Sequence, residues 1–457
     1  MTPVPKITGK LKTVKDVRKI ASTSDYAKIY ESILRGWIVA DIGAKININQ
    51  FAGKKGVGTE HMMVMLVDRV LSLLDQPGMT AVVMGAVDWM GAFDRQDPTK
   101  TAIKLINMGL RPSLVPVILE FLEDRKMVVR YNSATSKWYD LVGGSPQGSW
   151  NGQNSYIVGS DDNADHVPLE DQYKYCDDLS ILELLMIGTL LTHYDFLNHV
   201  ASDVGIDQLF LDPQHTSTQS NLDQIATWTN NNLMRLNENK TSYIIFTRAR
   251  QQFATRFTLN GSLLERKSTI KILGMWLQQD GGWEVNTKEL CKKAYARLSL
   301  LTKLKYSGTS IEDLVHIYKM YIRSRLEYNS VVFHSSLTQQ QSNTLDRCEA
   351  VCLKIILQEM FISHSAACEM LGLEKLSIRR QKRCLDYAKK CIKHFQNKRM
   401  FPLNLNLNDP PIDVRHREPY QVNFSHTETY RHSAIPYCQR LLNADAPSKA
   451  AEDDPAR

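Results

Sequence analysis

No stretch of this 457-residue chain approaches the roughly 20 consecutive apolar residues that a helix needs to cross a membrane, so no membrane partner is expected. An apolar secretory core is missing too: the first ten residues, MTPVPKITGK, are polar and basic. That opening predicts a chain that starts inside a cell, and no address within the cell is read from it. Cysteine is scarce, eight residues scattered along the sequence, so reduced thiols rather than a disulfide framework are the default. Internal repeats are absent, which sets solenoid and propeller architectures aside. Even the excess of positive charge is small, a formal +7.

What is present suffices for two or three packed units, with 43% hydrophobic residues. Residues 26–75 read as mainly helical around a polar turn, QFAGKKGVGTEH. TAVVMGAVD follows as a short β-rich run ending in an acid, the pattern of a buried strand that delivers a carboxylate to its C-terminal edge. DPTKTAIKLINMGL and PSLVPVILEFLEDR read as helices, and KMVVRYNS with SKWYDLVGG as a hairpin. After the glycine-rich GGSPQGS, YKYCDDLSILELL sets two acids between apolar flanks. ASDVGIDQL is loop-like and NLDQIATWTNNNLMRLN helical. KTSYIIFTRA, RFTLNGSLL and TIKILGMWLQ are three strand candidates, with Asn260-Gly261 a hairpin turn. From about Glu284 helix follows helix, and SIEDLVHIYKMYIRSRLEY opens on Ser310 and Asp313 in a capping box. Beyond Phe401 prolines and asparagines dominate, and ADAPSKAAEDDPAR is expected to be disordered. The chain thus reads as an α+β unit, a helical unit and a tail.

Two local features suggest binding without establishing it. Residues 379–399, RRQKRCLDYAKKCIKHFQNKR, concentrate positive charge as a polyanion partner would favour, although a lone charge run is usually a solvated helix face. Cys348, Cys352, His364 and Cys368 are spaced loosely like a zinc knuckle. Cys348 and Cys352 also share an apolar helical stripe with Leu345 and Ile355/Ile356, and core packing is the favoured reading.

The acids carry more. Phosphodiester synthesis develops charge on an attacking 3′-hydroxyl and a leaving oxygen, and two Mg²⁺ ions about 3.5–4 Å apart stabilise both. Magnesium takes hard oxygen ligands, so the protein must bring two or three carboxylates to one point. Asp88 ends one strand; Asp177 and Asp178 follow Tyr175-Cys176. Adjacent acids on a strand face opposite ways, whereas at a hairpin tip the first can aim at metal and the second support it. Burying such acids among apolar flanks is costly without a cation. Alone, a Tyr-x-Asp-Asp run is as often an exposed acidic turn.

With the segments around them, these motifs resemble, in order and across most of the chain, the reverse transcriptase of non-LTR (LINE-type) retrotransposons. VRKIASTSDYAKIYESIL is similar to the family's opening block, with Arg18, Lys28 and Glu31 at matching places and Lys19 where proline is usual. QFAGK resembles its Gln-x-Gly-Phe-Arg block. AVDWMGAFD matches the first palm motif, which makes Asp88 the metal-binding aspartate and Phe93 the aromatic residue that screens the sugar 2′-carbon. GSPQGS resembles the Pro-Gln-Gly motif, implying that Pro146, Gln147 and Gly148 meet the incoming nucleotide and template. YCDD supplies Asp177 and Asp178. LNENKTSYIIF resembles the block whose lysine, here Lys240, lies near the triphosphate, and KILGMWLQQDGGW the Leu-Gly motif at the primer grip. Arg18 and Lys28 are candidates for the triphosphate or template.

The resemblance implies a right-hand polymerase with fingers, palm and thumb and a helical C-terminal region. It divides the chain into residues 1–80 (N-terminal fingers), 81–283 (palm, with a fingers segment inserted at about 95–140), 284–400 (helical thumb and basic region) and 401–457 (largely irregular tail). It implies an RNA-directed DNA polymerase that uses two Mg²⁺ ions, or Mn²⁺, with an RNA template, a DNA primer or target and dNTPs, reaching the nucleus at some stage. No counterpart of the family's N-terminal endonuclease precedes the first block, so a separate endonuclease is an expected partner. One departure stands out: WNGQNSYIVGSDDNADHVPLEDQ replaces an apolar helix, and its acids Asp161, Asp162 and Asp165 are expected to alter the packing there. Asp94 is expected to stabilise backbone rather than touch metal. The alternatives are a catalytically inactive RNA-binding remnant and an RNA-templated RNA polymerase, which would carry a smaller residue than Phe93.

Overall fold

Every second side chain of TAVVMGAV faces a different core, and this alternation organises the molecule. The structure, a computed structural model, describes residues 2–5, 17–78, 80–186, 208–210, 216–248, 252–394, 396–404 and 418–446. The first strands are β1 (Thr2–Pro5) and β2 (Val17–Ile20), an antiparallel pair, followed by β3 (Thr80–Val87). Then come β4 (Gln172–Tyr175), β5 (Asp178–Met186), β6 (Ser242–Thr247) and β7 (Glu265–Arg266). These form one sheet in the order β7-β6-β3-β5-β4, with β3 central and antiparallel to both neighbours.

Helices cover both faces, which is why the central strands are apolar on each side. Val82 and Met84 pack with α2 (Thr59–Leu74), through Met62, Leu66 and Val70. Ala81, Val83 and Val87 pack with Tyr156 of α5 (Trp150–Gly159) and Leu222 and Ile225 of α6 (Ser217–Asn231). A third cluster joins Leu34, Ile38 and Ile42 of α1 (Asp25–Ile42) to α3 (Pro98–Asn107) and α4 (Val115–Leu122).

The polar segment after α5 does not loosen this packing. Asp161 is buried and accepts from the Asn47 amide at 3.0 Å, while Asp162 pairs with Lys104 at 2.6 Å and accepts from the Trp228 indole at 2.9 Å. The WNGQNSYIVG part of the segment forms helix α5 with Tyr156, Ile157 and Val158 buried, and the acids just after it form a bonded layer. Desolvation pushes Asp161 up to about 6 and Lys174, fully buried beside it, down to about 8.

Arg125–Met127 and Tyr139–Leu141 pair as the expected hairpin, and Asn260 and Gly261, both with positive φ, turn the second one. TIKILGMWLQ, expected as one strand, is two: β8 (Thr269–Ile272) and β9 (Met275–Gln278) pair across Leu273-Gly274. Leu273 is left-handed (φ 44°), and its carbonyl accepts from the Tyr328 hydroxyl at 2.8 Å. Gly274 (φ 85°) supplies one left-handed position of the turn, and tertiary contact holds Leu273 in the other.

The helical region comprises α7 (Glu284–Tyr295), α8 (Leu298–Tyr306), α9 (Ile311–Ile317), α10 (Gln339–Leu357), α11 (His364–Met370), α12 (Leu376–Ile392) and α13 (Ala434–Asp445). Ser310 caps α9 by accepting from the Asp313 amide, but Asp313 bonds the Ser310 hydroxyl instead of closing a capping box through the backbone. Residues beyond 401, expected to be largely irregular, include α13, whose Ile435, Cys438 and Leu442 are buried in the shared core. The Asp75 carboxylate anchors that segment by accepting from the amides of His426 and Thr427 at 2.7 and 2.8 Å. Of ADAPSKAAEDDPAR, expected to be disordered, Ala444 and Asp445 close α13, where Asp445 pairs with Lys389 at 2.6 Å, and residues 447–457 lie outside the described residues, as does most of ASDVGIDQL.

Candidate active site

Asp88 follows the last residue of β3, and Asp177 occupies the tight turn that joins β4 to β5. Cys176 is left-handed (φ 59°), so Tyr175 pairs with Asp178 across a two-residue loop. Val87 pairs with Leu179, which sets Asp88 beside Asp178 at one sheet edge. The electrostatics register the convergence. Loss of solvent raises Asp177 above the usual carboxylate range and Asp88 raises it further, while Arg18 and Lys240 pull it down. Asp178, though its side chain reaches the surface, is pushed up to about 6, first by loss of solvent around its carboxyl and then by Asp177 and Asp88.

The turn is propped from behind by Gln50, fully buried, whose Oε1 accepts from the amides of Cys176 and Ala52, both at 3.0 Å. Asp88 is gripped by the loop after α6. Asn237 Nδ2 donates to Asp88 Oδ2 at 2.8 Å, and Lys240 Nζ lies 3.9 Å from the same oxygen.

Phe93 stands on a short turn with its ring stacked on Tyr156, centroids 4.6 Å apart. Its carbonyl accepts from the Ser145 amide at 2.7 Å, which ties it to the Pro146-Gln147-Gly148 segment. That segment is pinned to the end of β2: the Ala21 amide donates to the Gln147 carbonyl at 2.7 Å. Gly148 has φ 107°, and a Cβ there would sit 2.9 Å from the Ala21 carbonyl. A glycine is thus required here by the chain's own backbone. Glu31, buried on α1, holds the same region by accepting from the Trp150 amide at 2.7 Å and the Asn151 amide at 3.3 Å, the first amides of α5.

Asp88, Asp177, Asp178, Lys240 and Arg18 therefore act on one another, with Phe93, Pro146, Gln147 and Gly148 linked into one adjoining segment. Lys28 is not drawn in; it pairs with Asp25 at 2.9 Å on the exposed face of α1. Asp94 pairs with Lys19 at 3.2 Å. Asn237, Gln50 and Glu31 lie inside blocks that the sequence singled out, yet an amide or carboxylate there gives no sign of its partner more than a hundred residues away. Beside Asp88 and Asp178 opens a groove of about 660 Å³ lined by Lys240, Ser242, Arg266, Lys271 and Trp276.

The four-residue zinc constellation does not assemble. The free thiols of Cys348 and Cys291 interact by a hydrogen bond, and the Cys352 thiol bonds the Cys348 carbonyl. Glu349, His364 and Cys368 do come within 4.8 Å of one another. The Glu349 carboxylate there already accepts from Tyr318 at 2.6 Å, His364 at 2.9 Å and the Leu376 amide at 3.2 Å, so hydrogen bonds account for it without a metal.

The architecture is a mixed α+β one in which Asp88, Asp177 and Asp178 stand at the adjoining ends of neighbouring strands of one sheet. In sequence the chain is similar to the RNA-directed DNA polymerase from the mobile element jockey of Drosophila melanogaster, to which it is 25% identical over 333 residues. The match covers 71% of this chain and 34% of that polymerase, so the chain spans about a third of the relative's length. No family model matches. Among solved structures, telomerase from Candida tropicalis with a fragment of telomeric RNA overlaps 94% of this chain and 56% of its own, at 11% identity and TM-score 0.35. Telomerase from Candida albicans overlaps 76% and 56%, at 11% identity and TM-score 0.33. Overlaps this slight carry no argument about the site.

Proposed function

We propose that this chain is the RNA-directed DNA polymerase part of a non-LTR retrotransposon, extending a DNA primer on an RNA template by two-metal nucleotidyl transfer. The observation that carries the reading is the placement of Asp88, Asp177 and Asp178 at adjoining strand ends, near enough that loss of solvent and then mutual repulsion raise Asp177 and Asp178. Such a set is all hard oxygen, and no oxygen other than Asp88 Oδ2 has a cation within 4 Å among the described residues. It therefore fits Mg²⁺, with Mn²⁺ as substitute. When bound, the metal pair would polarise the attacking and leaving oxygens.

The chain's own residues would do the rest. Asp88 and Asp177 hold the ions and Asp178 supports them. Lys240, largely exposed, is free to swing from Asp88 to a departing pyrophosphate, as point charge or proton donor. Phe93, backed by Tyr156, excludes a 2′-hydroxyl and so selects dNTPs. Gln147 and Gly148 line the nucleotide and template pocket with Arg18 nearby. The α1–α4 region would serve as fingers, the sheet as palm and the helices from α7 as thumb, their basic faces gripping phosphates.

Primer extension tests the reading: poly(rA)/oligo(dT) with Mg²⁺ and dTTP, wild type against Asp177→Ala. Extension by wild type alone supports it. If neither extends while both bind the duplex, the chain is a nucleic-acid-binding remnant and the enzymatic reading is wrong.

A further inference from the structure

Three bonds from one loop converge on Asp88. The Asn237 amide donates to the Asp88 carbonyl at 2.8 Å, the Asp88 amide donates to Thr241 Oγ1 at 3.2 Å, and Asn237 Nδ2 donates to Asp88 Oδ2 at 2.8 Å. Only the third touches the carboxylate. It occupies Oδ2 together with the more distant Lys240, and Asp88 Oδ1 takes no hydrogen bond among the described residues. Asn237 is itself buried, 8% exposed, and its carbonyl anchors the turn through the amides of Lys240 and Thr241.

We propose that Asn237 is a positioning residue for Asp88: its amide fixes the carboxylate so that Oδ1 alone is presented to metal, and one turn sets both Asp88 and Lys240. This rests on the metal-binding reading above. A carboxylate on a strand end rotates freely about its last bond unless one oxygen is held. Partners that orient metal ligands in this way are worth about 10–100-fold in metal affinity when removed. The donor must be an amide, because a carboxylate at 237 would repel Asp88 and a shorter hydroxyl would not span the same distance.

The side chain is separable from the fold. The loop stays docked through the Asn237 and Asp88 main-chain bonds, the Met90 amide on the Arg235 carbonyl at 2.8 Å, and the Trp89–Leu236 bridge. Asn237→Ala therefore removes the orienting bond while leaving the anchors. Isosteric Asn237→Asp serves as the second variant, with circular dichroism and melting used to verify folding.

The experiment is Mn²⁺ binding to the full chain by electron paramagnetic resonance, independent of turnover, comparing wild type, Asn237→Ala, Asn237→Asp and Asp88→Ala. The expected result is Mn²⁺ bound by wild type and weakened about 10–100-fold in both Asn237 variants, with melting within a degree or two of wild type for Asn237→Ala. Mg²⁺-dependent extension should show the same shift in half-saturating metal with dNTP KM unchanged at saturating metal. Wild-type affinity in both Asn237 variants, with Asp88→Ala impaired, overturns the inference and leaves the polymerase reading standing. Wild type that binds no Mn²⁺ overturns both.

Discussion

Glu31→Gln should loosen the start of α5 and, with it, the Gln147-Gly148 segment. The Glu31 carboxylate is 1% exposed, and one of its oxygens accepts two amides at the helix N-terminus, at 2.7 and 3.3 Å. Bonds to a charged acceptor contribute about 1.5–3 kcal/mol each, and the longer of these two counts as the weaker. The helix dipole favours negative charge at that end by about 0.3–2 kcal/mol. Glutamine is nearly isosteric, and its carbonyl oxygen can keep a neutral bond worth about 1 kcal/mol, so charge rather than shape is removed. Its –NH₂ would fall where the other carboxylate oxygen has no partner, neither gaining nor losing a bond. Relief of the buried charge offsets part of the loss, which leaves a net destabilisation of about 1–3 kcal/mol. Hydrogen exchange at the amides of Trp150 and Asn151 reads this directly. At about 1.4 kcal/mol per tenfold, exchange there should quicken about 5- to 150-fold, with dNTP KM rising in step. Protection within twofold of wild type, with KM unchanged, would refute the coupling of α1 to the nucleotide pocket.

Phe93→Ala should relax sugar selection: admitting a 2′-hydroxyl against a packed ring costs about 1–3 kcal/mol, so rNTP over dNTP incorporation should rise about 5- to 150-fold in competition assays. Unchanged selectivity would leave Phe93 as core packing against Tyr156. Because burial and its acidic neighbours push Asp178 up to about 6 in the folded chain from its ordinary 3.8, the native state holds its proton more tightly than the unfolded one, and metal-free stability is lost as pH rises between these values. Asp178→Asn should therefore melt above wild type near neutral pH without metal and converge with it near pH 4, and wild type should need more Mg²⁺ below about pH 6. Parallel melting profiles would show that the carboxyl is not crowded. Tyr318→Phe should cost about 1.5–3 kcal/mol in denaturant unfolding, since it strips a 2.6 Å bond from fully buried Glu349.

The acids were legible in the sequence because a strand pattern ending in a carboxylate and a paired-acid turn impose strong local constraints. The register Val87 to Leu179 then brings the two segments side by side. The β8–β9 turn was only half legible: Gly274 is a turn residue, but Leu273 before it carries no turn chemistry and is held left-handed by Tyr328, 55 residues on. In α13 the stripe of Ile435, Cys438 and Leu442 was present, but proline- and asparagine-rich sequence before it masked a helix that depends on the core for its burial. Lys28 matched a motif position, and in the structure it pairs with Asp25 one turn away on its own helix. The orienting roles of Gln50, Asn237 and Glu31 needed partners 126, 149 and 119 residues distant, beyond what spacing conveys.

Iron(II) in place of Mg²⁺, with ascorbate and peroxide to generate hydroxyl radicals, cuts a chain where the ion sits. If Asp88, Asp177 and Asp178 form one metal site, cleavage should fall together near residues 88, 177–178 and 237–240, and vanish in Asp177→Ala. Cleavage at only one of these segments, or a pattern that survives Asp177→Ala, would contradict the account.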